Sequence, residues 1–151
     1  AAGRVLETMY LQTVREKFSL SYSVGTSCSL VSDPKPDFLL QTFCPVKPEK
    51  ADSALLLINE GLKELAAKPA PEEYLSKVKE QMLKVYENRQ RENGYWAGLE
   101  MDKVLFGRDG YKGSREAIEG ITGEDIQKFI SGVVMKQRNR LNVIMLPEEK
   151  K

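Results

Sequence analysis

Arg15 and Tyr22 stand where a helical pattern gives way to an alternating one. A guanidinium offers a fixed fork of N–H donors and a phenol offers one O–H. Side by side they can donate to a peptide carbonyl, or to the oxyanion that forms when that carbonyl is attacked. Arg15 falls in the last turn of a predicted first helix, and Tyr22 falls early in the strand expected after it. The turn around Phe18–Ser19 can bring both side chains to one edge of a sheet. Spacing alone favours a plainer pair of roles, a surface arginine and a packing tyrosine.

Other chemistry is thin. The chain has no histidine, which removes most zinc sites, the Ser-His-Asp and Cys-His arrangements and the commonest general base. Cys28 and Cys44 are too few for a disulfide framework and lack metal-site spacing, so they read as small apolar side chains on strands. Gly107–Gly113 is glycine-rich but matches neither G-x-x-x-x-G-K-[ST] nor a strand–GxGxxG–helix unit, and reads as a surface loop. Trp96, beside Leu99 at helical spacing, reads as core, and the basic run Lys136–Arg140 as a solvated helix end.

The 23 Lys and Arg nearly cancel the 22 Asp and Glu, so the net charge of +1 argues against a nucleic-acid partner. The longest apolar run, Ala54–Ile58, falls far short of the roughly 20 residues that cross a bilayer, so no membrane insertion is expected. At 151 residues, 41% hydrophobic, the chain is expected to form a single domain over 1–151, or a large part of one.

Periodicity supplies the elements that would hold Arg15 and Tyr22. Val5, Leu6, Met9, Tyr10, Val14 and Phe18 recur at helical spacing over 4–18. From Ser19 the period changes to two, with Leu20, Tyr22, Val24, Thr26, Cys28 and Leu30 on one face and serines on the other. Asp33–Asp37, with two prolines, turns the chain into a second strand, Phe38–Cys44, expected to pair antiparallel with the first. A turn centred near Pro34 and Lys35 puts the two cysteines on opposite faces, offset and unbridged.

Asp52 or Ser53 is expected to cap the next helix, with Leu55, Leu56, Ile58, Leu62 and Leu65 as its apolar positions. Pro71-Glu72-Glu73 opens another helix, running to about Arg91, and Tyr95–Phe106 resumes helical spacing. Thr122 with Asp125 is a variant capping box before Ile126, Phe129, Ile130 and Val133. Arg140–Leu146 reads as a buried last strand before a charged tail, Glu148–Lys151. The expected class is α+β, a small antiparallel or mixed sheet with helices packed on it. Three strands make a thin sheet, which points to further strands from elsewhere in a larger protein.

Arg15-Glu16-Lys17-Phe18-Ser19-Leu20-Ser21-Tyr22-Ser23-Val24 resembles the "LREK-x-G-L-x-Y-S-V" segment of pitrilysin/insulinase-family zinc metallopeptidases. Glu72-Glu73 opening a helix that contains Lys77 and Lys79 resembles the family's continuation, and Asn93-Gly94-Tyr95-Trp96 a segment of bacterial members. In that family the N-terminal half carries zinc on an inverted H-x-x-E-H helix. The C-terminal half has lost the motif and contributes an arginine and a tyrosine that hydrogen-bond the substrate backbone.

The resemblance therefore implies a non-catalytic C-terminal segment of a zinc metalloendopeptidase, forming the wall opposite the zinc. Arg15 and Tyr22 would bind substrate; catalytic and metal-ligating residues would be none in this chain. The chain itself is expected not to be an enzyme and to hold no cofactor, with zinc in the N-terminal half of its parent. That half and an extended peptide are the expected partners. A bacterial parent of this kind belongs in the periplasm or cell envelope sooner than in the cytoplasm. The alternatives are a scaffold subunit of the same fold without peptidase activity, and an independent α+β binding module. One position departs from the family pattern. The usual glycine after the first helix is Ser19, where a left-handed backbone is strained, so the convergence of Arg15 and Tyr22 turns on that residue.

Overall fold

The computed structural model describes residues 1–31, 35, 37–136 and 140–146. Helix α1 (Ala2–Tyr10) runs straight into a π-helical segment, Leu11–Lys17. Two strands follow, β1 (Gly25–Val31) and β2 (Asp37–Phe43), and then a short 3-10 turn, Pro48–Lys50. Helices α2 (Ala51–Ala67), α3 (Glu72–Arg89), α4 (Asn93–Phe106), α5 (Ser114–Gly120) and α6 (Gly123–Phe129) complete the order, with a second π-helical turn at Ile130–Val134. The architecture is α+β, as the alternation of periods predicts.

The core gathers around α1. Val5, Leu6 and Tyr10 of its apolar stripe and Val14 of the π-helical segment are fully buried, and Leu65 of α2, Leu75 and Val78 of α3, and Ile126 and Ile130 join them in one cluster. Tyr10 brings its polar end into this core by donating to the Ile58 carbonyl at 3.0 Å. Its ring lies so close to α2 that a Cβ on Gly61 would sit 2.6 Å from Cε1. The capping box at Thr122 forms as predicted, with the Asp125 amide donating to the Thr122 hydroxyl and the Thr122 amide to the Asp125 carboxylate.

β1 and β2 pair antiparallel, with Gly25 opposite Phe43 and Cys28 opposite Leu40. Opposed residues share a face in such a ladder, so this register places Cys28 and Cys44 on the same face, four residues apart along it, and not on opposite faces. The register is offset by one residue from the one that a turn at Pro34 and Lys35 implies; residues 32–34 and 36 lie outside the described residues. Both thiols are free. The hairpin lies on α1, where a Cβ on Gly3 would meet the Cys28 Cβ at 3.3 Å.

Several expectations are corrected. The first strand starts at Gly25 and not at Ser19, because Pro45 has no N–H with which to extend the ladder past Gly25–Phe43. The alternation also breaks before the strand: Ser21 is buried while Tyr22 is 86% exposed. Helix α2 begins on Pro48–Lys50 with no side-chain cap, so neither Asp52 nor Ser53 serves as one. Trp96 is 41% exposed, its indole N–H donating to the Gln90 carbonyl and its ring 5.2 Å from that of Tyr111.

Arg140–Leu146 forms no strand. Leu141, Val143, Met145 and Leu146 are all exposed, since β1 and β2 pair only with each other among the described residues. Helix α5 occupies a stretch with no strong pattern, held by Arg115 pairing with Glu87 of α3 and with its own Glu119. Residues 137–139 of the basic run and the tail from 148 lie outside the described residues. No described helix is long and apolar enough to cross a membrane.

Candidate functional site

The π-helical segment sets the position of Arg15. Wide turns replace the α-helical ladder here: the Phe18 amide donates to the Thr13 carbonyl at 3.1 Å and the Leu20 amide to the Val14 carbonyl at 2.9 Å. Such widened turns rotate the side chains that follow them, and they recur at functional sites. The segment ends at Lys17 and Phe18 caps it; Ser19 follows, the one described non-glycine residue with positive φ, at +48°. Ser19 thus takes the left-handed conformation that a glycine would take more easily, at a strain of order 1–2 kcal/mol. Lys50 holds the result in place, donating from Nζ to the Ser19 carbonyl at 3.1 Å.

Ser21 fixes the next step of the chain. Its hydroxyl lies 2.7 Å from the Ser23 carbonyl oxygen and 2.6 Å from that of Pro45, so it can donate to either. It accepts from the Ser23 amide at 3.3 Å. The contact ties the chain before β1 to the chain after β2 and leaves Tyr22 facing solvent. Burial pushes the neighbouring Cys44 thiol up from its ordinary pKa, with a smaller opposing effect from the Ser21 hydroxyl. Cys44 is therefore a poor nucleophile at neutral pH.

Arg15 and Tyr22 do meet. The Arg15 guanidinium carbon lies over the Tyr22 ring, 5.3 Å from its centroid, in cation–π geometry. Both side chains are exposed. Neither has a hydrogen bond to another described side chain or carbonyl, so their donors remain available to a ligand. They line one open cleft of about 640 Å³, together with Ser19–Ser21 and the segment Pro45–Lys47 and Lys50.

Lys47 and Lys50 are cleft residues that sequence reading missed. The signal was present in the hairpin: antiparallel pairing that returns Cys44 beside Val24 must also return Pro45–Lys47 beside Ser21 and Tyr22.

The cleft is lined by cations, hydroxyls and apolar groups. It contains no carboxylate, and among the described residues no three of His, Cys, Asp and Glu converge on a point that could hold a metal. The described residues offer no set that fits a zinc ion. What the arrangement can do is donate hydrogen bonds from one wall to an extended main chain.

No family model matches the chain, and no curated protein matches it significantly. Two solved structures are similar. The periplasmic protease PqqL from Escherichia coli aligns with a TM-score of 0.66 at 23% identity, over 85% of this chain and 14% of that one. A conserved protein from Enterococcus faecalis V583 aligns with a TM-score of 0.69 at 19% identity, over 85% of this chain and 32% of that one. At these identities the likeness is one of fold. The chain has a fold that resembles a segment of a periplasmic protease, and it spans about one seventh of that protease's length.

Proposed function

We propose that this chain is a non-catalytic C-terminal segment of a zinc metalloendopeptidase of the pitrilysin/insulinase type, forming the wall that grips substrate opposite the zinc. The observation that carries the reading is the convergence of Arg15 and Tyr22, both exposed, on one open cleft. The Arg15 guanidinium makes a charge-assisted bond to a substrate carbonyl. The Tyr22 phenol donates to the carbonyl at or next to the scissile bond, whose oxygen gains negative charge as it is attacked. Zinc, when bound in the N-terminal half of the parent, supplies the activated water. That half and an extended peptide are the partners, and the periplasm or cell envelope is the compartment, in keeping with the fold likeness to a periplasmic protease.

A scaffold subunit of the same fold is the second reading, favoured by the exposed apolar residues Leu141, Val143 and Met145, which offer a surface to a partner. The test is metal analysis and peptidase assay of the intact parent beside this chain alone. The enzyme reading expects an H-x-x-E-H motif upstream, activity lost to a chelator and restored by zinc, and no stoichiometric zinc on this chain. A parent without the motif and without activity would establish the scaffold. One tightly held zinc on this chain alone would refute both.

A further inference from the structure

The cleft has a charge character that main-chain gripping does not require. Three of its lining residues are cations, Arg15, Lys47 and Lys50, and none is an acid. Two acids flank them in sequence, Glu16 and Glu49, and neither lines the cleft. The three cations have different commitments. Arg15 lies over the Tyr22 ring, and Lys50 already donates to the Ser19 carbonyl. Lys47 is exposed, and while its carbonyl accepts from the Lys50 amide at 2.9 Å, its ammonium has no hydrogen bond or ion pair with any described residue.

Its backbone is nevertheless stiff. Lys47 is extended, with φ −66° and ψ 146°, and it precedes Pro48, which restricts it to that region. A cation held on a rigid extended segment loses less entropy on binding than one on a mobile loop. With no acid among the lining residues, a bound anion would meet only positive side chains there.

We infer that the cleft selects peptides carrying a carboxylate, with Lys47 as the residue that sets the preference. The inference rests on the proposed main-chain grip and adds to it the substrate class. The carboxylate can come from an acidic side chain or from a peptide C-terminus, and both are tested.

The experiment measures binding of short blocked peptides to this chain by fluorescence anisotropy at low ionic strength. The peptides are identical except for Glu, Gln or Lys at one central position, with a further Gln peptide ending in a free carboxylate. The Glu peptide is expected to bind about fivefold more tightly than the Gln peptide, as for a solvent-accessible pair of about 1 kcal/mol. The difference should shrink as salt rises. Lys47→Glu should reverse the preference toward the Lys peptide, and Tyr22→Phe should weaken all the peptides by a similar factor.

A gain confined to the free C-terminus supports the inference with that terminus as the source. Equal binding of all four peptides overturns it while leaving the main-chain grip standing, provided Tyr22→Phe still weakens them all. A preference for Glu that survives Lys47→Glu overturns the role of Lys47. Binding of no peptide overturns the inference and the proposed grip together.

Discussion

Helices α2 and α4 carry similar sequence credentials and meet opposite fates. Each has apolar residues at helical spacing and a glycine in its interior, Gly61 in α2 and Gly98 in α4. α2 buries Ala54, and Leu65 joins the core cluster with residues of α1 and α6. α4 buries nothing: Met101, Val104 and Leu105 are more than half exposed. The glycines differ accordingly, since a Cβ on Gly61 would collide with Tyr10 and one on Gly98 would meet open space. Periodicity shows which face of a helix avoids water; it does not show whether this chain has anything to cover that face with.

Substitutions can break the contrast. Leu6→Ala, in the fully buried stripe of α1, is expected to cost about 2–5 kcal/mol of unfolding free energy, because the site can collapse only partly. Leu105→Ala in α4 is expected to stay within about 0.5 kcal/mol. Denaturant titration of both variants measures the gap, and a comparable loss at Leu105 would mean that α4 packs on the body after all. Gly61→Ala is next in size, at about 1–2 kcal/mol destabilising, its overpacking against Tyr10 only partly offset by alanine's better helix propensity. Gly98→Ala should have the opposite sign, stabilising by up to about 1 kcal/mol, with nothing in its way.

Tyr10 gives the buried side of the comparison a pH signature. Burial holds its phenol well above the ordinary pKa, with a smaller opposing effect from Arg140. The unfolded phenol releases its proton near pH 10 while the folded one keeps it, so the unfolded state binds fewer protons there. Stability from this group is therefore full below about pH 10 and falls as pH rises through and above it. Thermal melts over that range should fall more steeply for the wild type than for Tyr10→Phe. Parallel slopes would mean that the phenol is accessible. A small effect is also expected at Ser19→Gly, where relieved strain slightly exceeds the added chain entropy, raising Tm by about 1–3 °C.

The sequence disclosed α1, the hairpin, α3 and the capping box at Thr122 because each rests on local signals: spacing, proline turns, an acid three residues past a hydroxyl. It misplaced what depends on absent partners. Arg140–Leu146 has the composition of a buried strand and is exposed, for want of a neighbouring strand among the described residues. Trp96 has the spacing of a core residue and lies half-exposed on a helix that packs on little. At the site, the turn around Phe18–Ser19 already allowed Arg15 and Tyr22 to meet, the family resemblance alone gave the pair a binding role, and Ser19 takes the left-handed conformation. Lys47 and Lys50 were not read as cleft residues because the register that returns them was not carried past the strand ends.

The central claim is that Arg15 and Tyr22 grip the substrate main chain, and kinetics on the intact parent protein test it most directly. Tyr22→Phe is expected to lower kcat by about 10²–10³, as loss of one donor to a developing oxyanion does, with a smaller change in substrate binding. Arg15→Ala should raise KM strongly, its bond being made alike in ground and transition states. Both side chains are exposed, so both variants should melt within a few degrees of the wild type. Full activity in Tyr22→Phe, or a melt that collapses along with the activity, would contradict the account.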